Sequence, residues 1–330
     1  MDVKIIESPK LYLDTNHLVN IARLRNDTGT VQEVYKEAYR FIDKCIREMH
    51  VGLVFNLAAP LDWVNGDATL ESAIEIADIF ESAQLQYEIE ADTFVYLHEV
   101  LREIEAFNNT LSLPDFDIFF VRDREVTVTS AILVLRKEVP DFFDANELLP
   151  GVDDAPTSVC SVSIRECVQR AWKLKTERPS VFQERNDGFR AALQHDLNVL
   201  GSRRSKSITQ ADKVNWCKQR LKVDRILTRL HPNIDVNETL QSINLENCPA
   251  TILYLKAHEK RIRNQNQSIS DSDVDDWLYL PVISYCDVIL MERSLRGYVC
   301  QADKDIADKT THDPRDAARM LEKWISPATV

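Results

Sequence analysis

Glycine is the scarce residue of this 330-residue chain: 7 in all, about 2% where ~7% is usual. All seven stand isolated, at Gly29, Gly52, Gly66, Gly151, Gly188, Gly201 and Gly297. Neither G-x-G-x-x-G nor G-x-x-x-x-G-K can be written from them, which excludes a dinucleotide-binding turn and a P-loop of the usual kind. So few glycines beside 12 prolines also argue against an all-β chain with many tight turns. No apolar run approaches the ~20 residues that span a bilayer, so no membrane partner is expected. MDVKIIESPKLYLD has no long apolar stretch behind a basic one, so no secretory leader is expected. The seven cysteines (Cys45, Cys160, Cys167, Cys217, Cys248, Cys286, Cys300) include no C-x-x-C. Zinc-ribbon and thioredoxin-type chemistry therefore lack support, and reduced thiols packed as small hydrophobes in a cytoplasmic protein are expected. The histidines offer no H-E-x-x-H. His195-Asp196 is an HD dipeptide, a weak pointer to a metal phosphohydrolase.

What is abundant is charge, unevenly spread. The chain carries 40 Lys+Arg against 53 Asp+Glu, a net of −13. Residues 165–229 hold 16 basic and 7 acidic residues, a surplus of +9 that leaves −22 on the remainder. The densest run holds Arg203, Arg204, Lys206, Lys213, Lys218 and Arg220, followed by Lys222, Arg225 and Arg229. Two readings fit it. It is a nucleic-acid footprint, with Trp216 free to stack on a base, or it is a helical face docked on acidic surroundings, with Trp216 in the core.

Buried runs and helical periodicity alternate at both ends of the chain. KLYLD (10–14) reads as a short buried strand, with Asn16 capping a helix over HLVNIARLR. Residues 30–49 repeat Val31, Val34, Tyr35, Ala38, Phe41, Ile42, Cys45 and Ile46 at helical spacing. VGLVFNLA (51–58) is a second buried strand, and Pro60 opens a helical pattern running to about Ala83. QYEIEA (86–91) reads as a short strand and 92–106 as a helix, while DIFFV (117–121) reads as another strand or as part of a helical segment. Residues 125–265 read as mostly helical, broken near 139–157 and 231–237. A closing unit follows: a helix over 273–285, a strand at CDVILM (286–291), a helix near 293–307 and a last one over 314–325. This alternation predicts an α/β fold around a short parallel sheet, with a long helical insertion.

The candidate chemistry rests on carboxylates. Asp14 ends the first strand, Asp62 follows the second, and Glu292 closes the CDVILM strand. Ligands of open parallel sheets bind outside the carboxyl ends of the strands. Asp273 and Asp276 fall in the first turn of the preceding helix, three apart and so on one face. Taken singly, Asp62, Asp273, Asp275 and Asp276 are accounted for by the preference of acids for helix N-termini, and Asp14 as a residue that simply ends its strand. Together they would repel one another unless a cation compensated, and hard oxygen donors select Mg²⁺ or Mn²⁺.

LYLDTN followed by a helix resembles the first motif of PIN-domain nucleases. SDVDDWLYLPVISYCDVILMER resembles their last motifs, in which an acid opening a helix is followed about 18 positions later by one that ends a strand. Asp273 to Glu292 is 19 positions. VGLVFNLAAPLDW resembles the middle motif, with Asp62 where the family usually carries Glu. Glu292, after Met291, stands where the family usually carries Asp. The resemblance covers about residues 8–108 and 268–326, and is to the larger PIN-like proteins rather than the compact toxins.

It implies a three-layer PIN-like domain over 1–124 and 266–330, interrupted by a partly basic helical insertion over 125–265. The activity implied is metal-dependent phosphodiester hydrolysis, most often of RNA. Asp14, Asp273 and Glu292 would hold Mg²⁺ or Mn²⁺, with Asp62 and Asp276 completing the set or orienting a water. Asn16 would bond a ligand or phosphate, or cap its helix. Asp287 would point into the site, or only cap its strand. Glu99 is a lesser candidate, with a surface position the plainer reading. The implied partners are RNA or another single-stranded nucleic acid as substrate, and a second copy of the chain or an inhibitory protein. Two other readings stand beside this one: a catalytically degenerate PIN-like module that binds RNA or protein, and a helical interaction module with the α/β part as scaffold.

Overall fold

The structure is a computed structural model, which describes residues 8–48, 51–56, 59–89, 92–116, 118–121, 163–201, 207–263 and 277–325. Asp273, Asp276, Arg203, Arg204 and Lys206 lie outside these, as does the whole of the stretch 125–162, with the break expected at 139–157.

The chain is α/β and divides into two compact units, the first made of 1–88, 162–182 and 285–330, the second of 89–161 and 183–284. This differs from the division at 124 and 266: the helix over 92–107 belongs to the second unit, and the start of the basic segment to the first.

In the first unit, β1 (Lys10–Leu13), β2 (Gly52–Asn56), β3 (Gln86–Ile89), β5 (Val288–Leu290) and β6 (Thr310–Thr311) make a sheet in the order β3-β2-β1-β5-β6. β1 runs parallel to β2, with Leu11 opposite Leu53, and parallel to β5, with Leu13 opposite Leu290. β5 in turn runs parallel to β6. The central strands are buried on both faces, so they read as unbroken apolar runs rather than alternating ones. Gly52 has a steric role: a Cβ there would run into the Tyr87 ring of the neighbouring strand.

Helices α1 (Thr15–Asn26) and α2 (Glu33–Arg47) follow β1. α2 agrees with the expected 30–49 apart from Val34, which is 56% exposed on the outer face. The pattern after β2 is two helices, α3 (Ala59–Trp63) and α4 (Leu70–Ser82), because Thr69 and Ser72 form a capping box that starts a new one. α6 (Ile164–Glu177) packs on α3 and α4. The helix expected over 293–307 is also two, α13 (Arg293–Ala302) and α14 (Lys304–Lys309). Asp303 caps the second by accepting from the amides of Asp305 and Ile306. α15 (Pro314–Ile325) has the expected bounds and packs on α2 and β5.

In the second unit, α5 (Asp92–Phe107) packs on α8 (Gln210–Leu221), α11 (Pro249–Arg263) and α12 (Leu280–Ser284). β4 (Phe119–Val121), α9 (Val223–Leu230) and α10 (Val236–Ser242) also fall here, and α7 (Pro179–Gly201) carries the chain from one unit's residues into the other's. The core is aromatic: the Tyr96 ring lies 5.8 Å from Trp216 and 4.9 Å from Tyr254, and Trp277 lies 4.2 Å from His258.

Among the described residues the six cysteines are free, and none of the helices is long and apolar enough to cross a membrane. Burial pushes the thiols of Cys45 and Cys217 up to about 11 and about 12. That removes thiolate character at neutral pH, as expected of thiols packed as hydrophobes.

Candidate acidic site

β1, β2 and β5 all end at the same edge of the parallel sheet, and the structure brings Asp14, Asp62 and Glu292 together there. Asp14 continues the ladder, its amide donating to the Leu290 carbonyl at 3.0 Å. It is the N-cap of α1, yet its side chain makes no cap bond. One carboxylate oxygen instead accepts from the Glu292 amide at 3.1 Å. Thr15 donates its hydroxyl to Asp62 at 2.7 Å, and Asn16 donates its amide to the Glu292 carboxylate. Asn16 therefore sits in the first turn of α1, one residue after its start, and does not cap it.

Three acids at one edge disturb one another. The Asp14 carboxyl is raised to about 6, first by burial and then by the charges of Glu292 and Asp62; the Glu292 amide pulls the other way. The donors are hard carboxylate oxygens, the chemistry that suits Mg²⁺ or Mn²⁺. Their spacing is another matter: among the described residues no three His, Cys, Asp or Glu side chains form a group that could hold a metal ion.

A hydrogen-bonded line behind this edge was not legible in the sequence. Asn20 donates to the Tyr39 hydroxyl at 3.2 Å, and Tyr39 meets Nδ1 of His17 at 2.8 Å. The His17 ring also bonds the Met291 carbonyl, next to Glu292. Burial lowers His17 to about 4, so the ring is neutral at pH 7 and braces the end of β5.

Other candidates lie elsewhere. Asp287 accepts from the Lys10 amide at 2.8 Å, at the amino end of β1, so it caps the opposite edge of the sheet from Asp14. Glu99 is not on the surface: it is 7% exposed in the second unit and accepts from the amides of Ala250 and Thr251 at 2.9 and 2.8 Å, and from the Thr251 hydroxyl at 2.7 Å. It satisfies donors at the start of α11.

Trp216 is 0% exposed, which removes it as a stacking platform. In the same run Lys213 approaches Glu246 at 3.7 Å, Lys218 bonds Asn237, and Arg220 reaches Asp196 at 3.4 Å. The HD dipeptide is likewise structural: Asp196 is fully buried and accepts from the Tyr254 hydroxyl at 2.6 Å, while His195 faces solvent.

Against models of known families, curated proteins and solved structures, the chain finds no match.

Proposed function

We propose that this chain is a PIN-like, metal-dependent nuclease that hydrolyses phosphodiester bonds, with RNA as its substrate. The observation that carries the reading is the convergence of Asp14, Asp62 and Glu292 at the carboxyl ends of parallel strands, with the Asp14 carboxyl raised first by burial and then by its acidic neighbours. Asp14 and Glu292, with Asp273 from the sequence resemblance, would hold Mg²⁺ or Mn²⁺; such an ion supplies a water of lowered pKa and neutralises charge on the leaving oxygen. Thr15 fixes one oxygen of Asp62, and Asn16 fixes one of Glu292. Asp276 adds a further acid in this reading, and Arg203, Arg204 and Lys206 hold the substrate backbone.

The test is cleavage of end-labelled single-stranded RNA by the purified chain with Mn²⁺ and with EDTA. Cutting that requires Mn²⁺ and drops at least about 100-fold in Asp14→Asn and Glu292→Gln is the expected result. Equal cutting by wild type and both variants would overturn it.

One observation favours a second reading, a degenerate module that binds RNA without cutting. Among the described residues no metal-holding group forms, and Thr15 and Asn16 already occupy two of the acids. RNA retention on a filter with no cleavage under any divalent ion would select it.

A further inference from the structure

In the first unit, α1 and α2 line a cavity of about 400 Å³ whose wall includes Tyr39, the residue that bonds His17 behind the acidic edge. Three arginines line it: Arg25 from α1, and Arg40 and Arg47 from α2. Arg40, Asp43 and Arg47 recur at three and four residues, so they share one helix face. Ile21 and Leu24 give the cavity an apolar wall.

The charges do not balance. Asp43 is the one carboxylate lining the cavity, and it is shared: Arg25 donates to one of its oxygens through two nitrogens, and Arg47 donates to the other at 3.1 Å. The guanidinium of Arg25 is held further by the Ser82 hydroxyl at 2.7 Å and the Asp78 carbonyl at 3.2 Å. Arg40 makes no hydrogen bond or close ion pair with another described residue; its charge acts on the exposed Glu33 of the same helix, and it stands exposed on the cavity rim. Among the residues that line the cavity, three guanidinium groups face one carboxylate, a surplus of +2 in a chain whose net charge is −13, with Glu33 outside the lining as a further acid near Arg40. Two of the arginines are pre-positioned by Asp43, Asp78 and Ser82, so binding an anion would order little beyond Arg40. Guanidinium forks match phosphate oxygens bidentately, and the volume is that of a small-molecule site.

We propose that this cavity is a binding site for a phosphate-bearing anion of about nucleotide size, with Arg40 as the group that closes on the phosphate. The same phosphate chemistry could be presented by a free small molecule or by a nucleic-acid backbone, and the ligand arms of the experiment separate these sources. The site contains none of the acids of that edge and meets it only through Tyr39, which lines the cavity and bonds His17; it does not rest on the nuclease reading.

The experiment is calorimetric titration of the full chain with pyrophosphate, adenosine diphosphate and a hexaribonucleotide lacking terminal phosphates. Each is run against wild type, Arg40→Ala, Arg40→Lys and Asp14→Asn. Arg40 makes no hydrogen bond with another described residue and its charge attracts the exposed Glu33, so its variants should stay close to the wild-type melting temperature. The expected result is saturable binding weakened about tenfold or more in Arg40→Ala, the worth of one charge-assisted hydrogen bond. A smaller loss is expected in Arg40→Lys and none in Asp14→Asn. Response to pyrophosphate and adenosine diphosphate identifies a free ligand; response to the hexanucleotide alone identifies a backbone phosphate, and either supports the site. No saturable binding of any of the three ligands, or equal affinity in wild type and Arg40→Ala, would overturn it.

Discussion

The Glu292 amide donates to the Asp14 carboxylate at 3.1 Å across 278 positions of sequence. This bond joins the residue that ends β1 to the one that follows β5. Because it is made by a backbone group, changing the Glu292 side chain leaves it in place, whereas changing Asp14 acts on both partners at once.

Asp14 and His17 should act in opposite directions on stability between about pH 4 and 6.5. Asp14 has a raised folded value near 6, so the native state holds its proton longer than the unfolded chain and stability falls as pH rises from 4 to 6. His17 has a depressed folded value near 4, so the unfolded chain takes up a proton first and stability rises as pH climbs from 4 to 6.5. Each effect is worth roughly 1–3 kcal/mol once solvent screening is allowed for. Asp14→Asn removes the first, so its urea midpoint should climb more steeply with pH than that of wild type, and should exceed it at pH 7. Parallel midpoint curves for the two proteins would show that Asp14 does not titrate in this range.

If the nuclease reading holds, Mn²⁺ raises the melting temperature of wild type. A ligand at about 100 times its Kd stabilises by about 2.7 kcal/mol. Asp14→Asn should lose most of that gain, and thermal denaturation with and without EDTA measures it. The same increase in both proteins would remove Asp14 from the ligand set.

Glu99→Ala should destabilise the second unit by about 2–4 kcal/mol, because it leaves two buried amides and a hydroxyl at the start of α11 without their acceptor. Glu99→Gln keeps an acceptor and should cost less. Any cleavage activity per folded molecule should match wild type in both variants. A loss of activity without a loss of stability would return Glu99 to the list of functional residues.

Trp216→Ala should cost about 3–5 kcal/mol by opening a cavity between Tyr96 and Tyr254. Trp216→Phe keeps most of the packing and should retain wild-type affinity for any RNA the chain binds. Weakened RNA binding in a fully folded Trp216→Phe protein would contradict the buried placement.

How far such features can be read beforehand depends on what sets them. β1, β2 and β5 are legible because strands buried on both faces are apolar throughout, and Asp14 and Glu292 are conspicuous as the first charges after them. α15 is legible because its apolar face repeats cleanly between Pro314 and Ile325. β6 is two threonines and carries no periodicity. Glu99 misleads because the face of α5 on which it lies is buried, and its partners are 151 and 152 positions away. Trp216 misleads for a related reason: the lysines and arginines around it colour the whole run, while Val214, Trp216, Cys217 and Leu221 turn inward. The cavity arginines gave no signal, since two helices supply them and only packing brings them together.

The parallel pairing of β1 with β5 sets a timetable for the growing chain. A ribosome adding ~5–20 residues per second makes Glu292 roughly 15–55 s after Asp14, and β1 has no β5 to pair with until then. The second unit's last residue is Ser284, so its sequence is finished before β5 is made. Its folding can therefore be under way while the central strand of the first sheet still presents an open edge, the kind of edge that invites pairing with other chains. The acidic edge is in this sense a late product of synthesis, and no fragment ending before residue 292 would carry it.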